Sequence, residues 1–155
     1  MSEFIYFSNK ARTSGNWPDN DLMKAGRMDI VIHFIIASLF LSHKLRENIK
    51  LHLIFNGPPN PSMHLEFVSN DKMPISKKDV GGLIKRMLYK CKKDKKIEVF
   101  PGCFIEKKSF GKLVRELEEN GKKIYLLDKK GSFIRKMKDD ELKDCVFVIG
   151  DHEGL

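Results

Sequence analysis

The chain opens on a short apolar strand, Phe4 to Phe7, and gives way to a polar loop with glycine and proline from Asn9 to Ala25. Loops beyond ~12 to 15 residues inside compact domains are usually functional or disordered, so this connector is a candidate for either. Met28 to His43 then reads as a helix that is apolar nearly all round. One of its faces suits a sheet and the other a subunit interface. Lys50 to Phe55 alternates toward an apolar strand, Asn56-Gly57-Pro58-Pro59-Asn60-Pro61 breaks it, and Met63 to Val68 resumes as a strand that can pair back as a hairpin.

Ser76-Lys77-Lys78-Asp79 resembles a capping box with aspartate in place of glutamate and opens a helix through about Lys90. Phe104 to Lys107 is a short strand, and Ser109 caps an amphipathic helix from Phe110 to Asn120 that Gly121 ends. Lys123 to Leu127 is the next strand, Asp128-Lys129-Lys130-Gly131 a turn, and Asp139 to Lys143 a short helical turn. Cys145 to Ile149 is a continuous apolar run before glycine, the pattern of a parallel strand covered on both faces. Strand, helix, strand alternation in this half predicts crossover units. The expected fold is therefore α/β, a mostly parallel sheet flanked by helices, in one domain over residues 1–155.

The length suits a single core without covalent staples. Lysine and arginine outnumber aspartate and glutamate 29 to 21, and a formal charge of +8 favours a polyanionic partner. Much of the excess lies between Lys77 and Lys96, where Lys92 and Lys93 are candidates for phosphate contact; a solvated helix face is the plainer explanation of such a run. Cys91, Cys103 and Cys145 are far apart, odd in number and without zinc-site spacing, which predicts reduced thiols and a cytoplasmic protein. The stretch Ile30 to Leu41 is too short to span a membrane, which needs ~20 apolar residues.

In open α/β sheets ligands bind beyond the carboxyl ends of strands. Two such ends, Leu127-Asp128 and Gly150-Asp151-His152-Glu153-Gly154, would lie side by side if their strands are neighbours. Neither has the spacing of a dinucleotide or nucleoside-triphosphate loop. Asp29 near a helix start suits the helix dipole, and Arg27 could share a ligand with it only by preceding the helix proper. His33 and His43 read as satisfied core or capping histidines, whereas His152 sits in the glycine loop, where its ring could meet a ligand or bond the turn. No histidine pair has metal-ligand spacing and no nucleophile elbow is present, so neither a metal nor a covalent intermediate is expected.

Taken together, Glu3-Phe4-Ile5, Gly26-Arg27-Met28-Asp29, Phe40-Leu41-Ser42-His43, Asn56 to Pro61, Ile124-Tyr125-Leu126-Leu127 and Phe147 to Gly154 occur in one order along the chain. In that order they resemble the archaeal tRNA pseudouridine N1-methyltransferases of the SPOUT class. The resemblance implies a trefoil-knotted α/β fold, a homodimer, S-adenosylmethionine as methyl donor and pseudouridine 54 of the tRNA T loop as target. It further implies cofactor contacts by Leu127 and Gly150, with Asp151, His152 and Gly154 shaping the loop. Arg27 and Asp29 would face the target base, bordered by Asn60 and Pro61. Family members continue past Gly154 with a helix and a second cofactor loop, so a missing tail or another chain is expected to complete the pocket. An inactive RNA- or partner-binding module, and a related ribosomal RNA methyltransferase, stay open as alternatives.

Overall fold

The computed structural model describes residues 2–18, 21–41, 44–45, 49–73, 76–127 and 145–150. The elements are β1 (Ser2–Ser8), α1 (Met28–Leu39), β2 (Phe40–Leu41), β3 (Lys44–Leu45), β4 (Ile49–Phe55), β5 (Met63–Val68), α2 (Lys77–Lys90), β6 (Ile97–Phe100), β7 (Cys103–Lys107), α3 (Phe110–Glu119), β8 (Lys123–Leu127) and β9 (Cys145–Gly150), with a 3-10 turn, Leu22–Ala25, ahead of α1. Among the described residues, seven strands form one sheet in the order β6-β7-β5-β4-β1-β9-β8, while β2 and β3 pair as a separate short ladder.

The sheet is mixed, where the sequence pattern predicts a mostly parallel one. The ladders β8-β9, β9-β1 and β1-β4 are parallel, and β4-β5, β5-β7 and β7-β6 are antiparallel. Connection length explains the split. Parallel neighbours need a crossover of a dozen residues or more, whereas the proline loop between β4 and β5 and the Pro101-Gly102 turn between β6 and β7 leave room only for a reversal. The Lys50–Phe55 and Met63–Val68 hairpin is present, with Leu53 opposite Leu65. The last apolar run is an interior parallel strand, β9, between β1 and β8.

Alternation along the strands separates two apolar layers. Leu51, Leu53, Leu65, Phe67 and Ile105 face α1 and α2, while Ile5, Ile54, Val146 and Val148 face Leu113 and Leu117 of α3. Both helix caps expected from the pattern are made: Ser76 accepts from the Asp79 amide and Ser109 from the Lys112 amide. α1 stops at Leu39, short of the expected His43, because Phe40 and Leu41 take extended backbone and pair with β3. Its apolar circumference is divided between the sheet and α2, where Ile32 approaches Gly81. His33 does not join that core; it is exposed. The predicted turn at 128–131 and the helical turn at 139–143 lie outside the described residues.

Candidate active site

The carboxyl ends of β1, β4, β9 and β8 lie along one edge, with Ser8 opposite Phe55, Phe7 opposite Gly150, and Leu127 opposite Ile149. The chain leaves β1 toward β4 on one side and returns through β8 and β9 on the other. β1 is thus the point at which the winding reverses, the place where open α/β sheets hold ligands.

Two glycines clamp the loop that follows β1. A Cβ on Gly26 would stand 1.8 Å from the Lys10 carbonyl oxygen, and one on Gly57 would stand 2.3 Å from the same atom. Neither position admits a side chain without moving backbone. Hydrogen bonds complete the clamp: the Gly57 amide donates to Ala11 O at 2.9 Å, the Thr13 amide to Pro58 O at 3.1 Å, and the Arg12 amide to Ala25 O at 3.3 Å. Thr13 Oγ1 donates to Gly57 O and accepts from the Asn60 amide at 2.6 Å. The long loop is therefore built into the edge, with Ala11, Thr13 and Trp17 buried. It joins the Arg27 turn to the Asn60-Pro61 loop.

Arg27 has a left-handed backbone, φ 62°, immediately before α1 begins at Met28. That conformation turns its side chain back onto Asp29, and the guanidinium donates from Nε to Oδ1 and from a terminal nitrogen to Oδ2, each at 3.0 Å. The pair is half-buried. The Arg27 hydrogen bond holds the Asp29 carboxyl below its usual range, against a smaller opposing effect of burial, and Asp29 in turn raises the Arg27 guanidinium. Asp29 is consequently a fixed anion that orients Arg27, and a weak proton acceptor. Arg27 keeps further N–H donors of its five to present to a ligand.

Asn60 and Pro61 are exposed, and their carbonyls accept from Lys107 Nζ at 2.7 and 3.0 Å. Lys92 and Lys93 are also exposed, on the turn ahead of β6. Ile97 of β6 pairs with Ile105 and Met63 of β5 with Lys107, so this turn lies on the same edge of the sheet. It stands five strand spacings from β9, roughly 24 Å at ~4.8 Å each. One nucleotide cannot touch both ends. Leu127 and Gly150 end adjacent strands as expected, while Asp151, His152 and Gly154 lie outside the described residues.

Sequence reasoning missed a second polar constellation, on the α3 face. Glu3, His52, His64 and Glu66 are buried in strands made mostly of apolar residues, and that placement of charge among apolar positions was the available signal. Spacing along the chain offers no metal-ligand histidine pair, yet the β4-β5 hairpin brings ligand atoms of His52, His64 and Glu66 within 4.8 Å of one another.

A mixed sheet with a reversal point at β1, glycine-clamped loops and a bidentate cation at the strand ends defines an α/β protein built to bind at that edge. The whole chain, residues 1–155, matches the family described as "Putative SAM-dependent RNA methyltransferase", and it belongs to that family. It is similar to the tRNA (pseudouridine(54)-N(1))-methyltransferase of Methanococcoides burtonii, 35% identical over 100% of this chain and 78% of that protein. The proteins of the same description from Methanococcus aeolicus and Methanocaldococcus jannaschii are 35% and 31% identical, again over 100% of this chain and over 79% and 78% of theirs. S-adenosylmethionine is the cofactor this family membership gives. The ends of β8 and β9 lie side by side, Leu127 beside Ile149 and Gly150 beside Phe7 of β1, on the carboxyl edge where open α/β sheets hold ligands.

Proposed function

We propose that this protein transfers the methyl group of S-adenosylmethionine to N1 of pseudouridine 54 in the tRNA T loop. The bidentate Arg27–Asp29 pair carries the reading: it stands on the edge that also holds the end of β9, in a chain alike over its full length to proteins of that description. The cofactor supplies an electrophilic methyl when bound. Pseudouridine is C-glycosidic, so N1 keeps a weakly acidic proton, and negative charge develops on the base as that proton passes to solvent water while N1 takes the methyl. Arg27, aimed by Asp29, stabilises that charge by hydrogen bonds preformed before the reaction. Asn60 and Pro61 wall the base, and Lys92 and Lys93 take phosphates at the far end of the edge.

A trefoil knot and a homodimer belong to the same proposal. Leu126 on the edge strand β8 supports an additional partner there, since it is 54% exposed among the described residues. The test is incubation of the protein and S-adenosylmethionine with a tRNA transcript carrying pseudouridine at position 54, followed by nucleoside mass spectrometry. One added methyl on that pseudouridine is the expected result. Methylation of a transcript with uridine at that position, or none of either, would overturn the assignment.

A further inference from the structure

The polar chain on the α3 face runs across four strands. Glu3 of β1 meets His52 Nε2 of β4, His52 Nδ1 meets His64 Nε2 of β5 at 2.8 Å, and His64 Nδ1 meets Glu106 of β7 at 2.9 Å. Both rings are buried, with side chains 2% and 1% exposed. The ring centroids stand 5.0 Å apart with planes only 20° from parallel, so at this nitrogen separation the rings meet edge to edge and their inner nitrogens face each other.

Each contact in the row needs one hydrogen. Glu106 is held down to about 2, chiefly by its hydrogen bond from His64; for Glu3 burial is the largest single influence and raises it, but His52, Lys50 and Lys122 together bring it below its ordinary value. Both carboxylates are therefore acceptors, and the two outer ring nitrogens must donate. That fixes both tautomers and leaves two lone pairs opposed across 2.8 Å. Two neutral imidazoles cannot rest this way. A cation has to lie between them.

We propose that the His52–His64 pair is a buried site for one proton, shared between His52 Nδ1 and His64 Nε2. Three protons then serve three contacts, and the two rings together carry one positive charge. A fourth proton would set N–H against N–H in a buried place, and burial does lower the His64 value. A divalent metal fits less well. Two nitrogens on a tetrahedral metal stand about 3.3 Å apart, wider than the 2.8 Å seen here. The third possible ligand, Glu66 Oε1, is already taken by Lys96 at 3.2 Å and Lys50 at 3.7 Å.

The charged groups around the pair come from every neighbouring element. They are Glu3 of β1, Lys50 of β4, Glu66 of β5, Lys96 ahead of β6, Glu106 of β7 with Lys108 after it, Glu116 of α3 and Lys122 ahead of β8. Glu116 reaches the row through Lys108, and Lys122 through Glu3. Glu3 and Glu106, the two carboxylates that cap the row, are both held below the ordinary carboxylate value, so from pH 5.5 upward the row gains or loses protons only at the histidine pair.

The consequence is a stability maximum. The folded pair binds one proton, whereas two unfolded histidines with ordinary values near 6.5 bind one between them only at about that pH. Above it the unfolded chain holds fewer protons than the folded one, so stability falls as pH rises; below it the unfolded chain holds more, so stability falls as pH falls. The folded-to-unfolded ratio contributed by this pair should drop about 25-fold between pH 6.5 and 8.5.

Denaturant unfolding of the whole chain from pH 5.5 to 8.5 tests this against a His52→Asn/His64→Gln double variant. The wild-type chain should show the maximum and the variant should lack its alkaline limb. If both respond alike, the proposal fails. Nitrogen-15 NMR of the wild-type rings decides the matter even if the variant does not fold: the pair should hold three ring protons unchanged across pH 6 to 8. Two neutral rings at pH 6.5, or either ring titrating alone near 6.5, would overturn it. So would uptake of one zinc ion by the wild-type chain with loss of the shared proton.

Discussion

At the residue scale, the pair before α1 separates orientation from proton transfer. Asp29 spends both oxygens on Arg27, and the hydrogen bonds that fix the guanidinium also make the carboxylate a poor base. Asp29→Asn should therefore lower kcat by about 100-fold through a misdirected Arg27, leaving the dissociation constant for S-adenosylmethionine nearly unchanged by calorimetry. Normal turnover would reduce Asp29 to a helix-start residue. The partly exposed pair should matter little to stability, because solvent screens it. Because the Asp29 value is lowered on folding, that contribution is present above its ordinary 3.8 and lost as pH falls through the lower folded value. Gly26 is the less forgiving neighbour. Its φ of 72° and a Cβ position 1.8 Å from Lys10 O mean that Gly26→Ala must shift the clamped loop. The expected loss is at least about 2 kcal/mol in denaturant unfolding, together with reduced methyl transfer.

At the scale of elements, what was legible depended on whether the signal was local. Ser109 before an amphipathic run and Gly121 after it announce α3, and the structure places both where the pattern does, with Gly121 at φ 82°. Since the Ser109 side chain accepts from the Lys112 amide, Ser109→Ala should cost about 1 kcal/mol, measurable as a shift in urea midpoint at constant slope. The proline loop likewise announced the β4-β5 hairpin. Strand β6 was not announced, because Ile97-Glu98-Val99-Phe100 follows a lysine-rich stretch and owes its place to pairing with β7. The same limit applies to the site. Arg27 and Asp29 could be singled out from sequence, but their convergence depends on a left-handed Arg27 that Gly26 and the Lys10 carbonyl impose from outside. Glu3, His52, His64 and Glu106 are dispersed over about 100 residues, and only the order β1-β4-β5-β7 makes them one row.

At the scale of the molecule, the charge excess becomes a surface with direction. Lys92, Lys93 and Lys95 are exposed on the turn ahead of β6, and a groove of about 440 Å³ beside α2 is lined by Lys78, Lys85, Arg86 and Phe100. A target base held near Arg27 leaves the turn too distant for the same nucleotide, at the reach of a backbone several nucleotides away. Lys96 does not belong with its neighbours, since it is spent on Glu66 and lies over the Phe104 ring. Replacing Lys92, Lys93 and Lys95 by glutamine should therefore weaken tRNA binding without disturbing the fold. The slope of log affinity against log salt should flatten by roughly 0.7 to 0.9 for each phosphate no longer neutralised. It should flatten equally for transcripts with and without pseudouridine 54, because lysine–phosphate pairs position an RNA without reading its base. Lys96→Gln alone should instead lower stability and leave the slope nearly as it was. An unchanged slope in the triple variant would make this turn a solvated face and move the RNA toward the groove along α2.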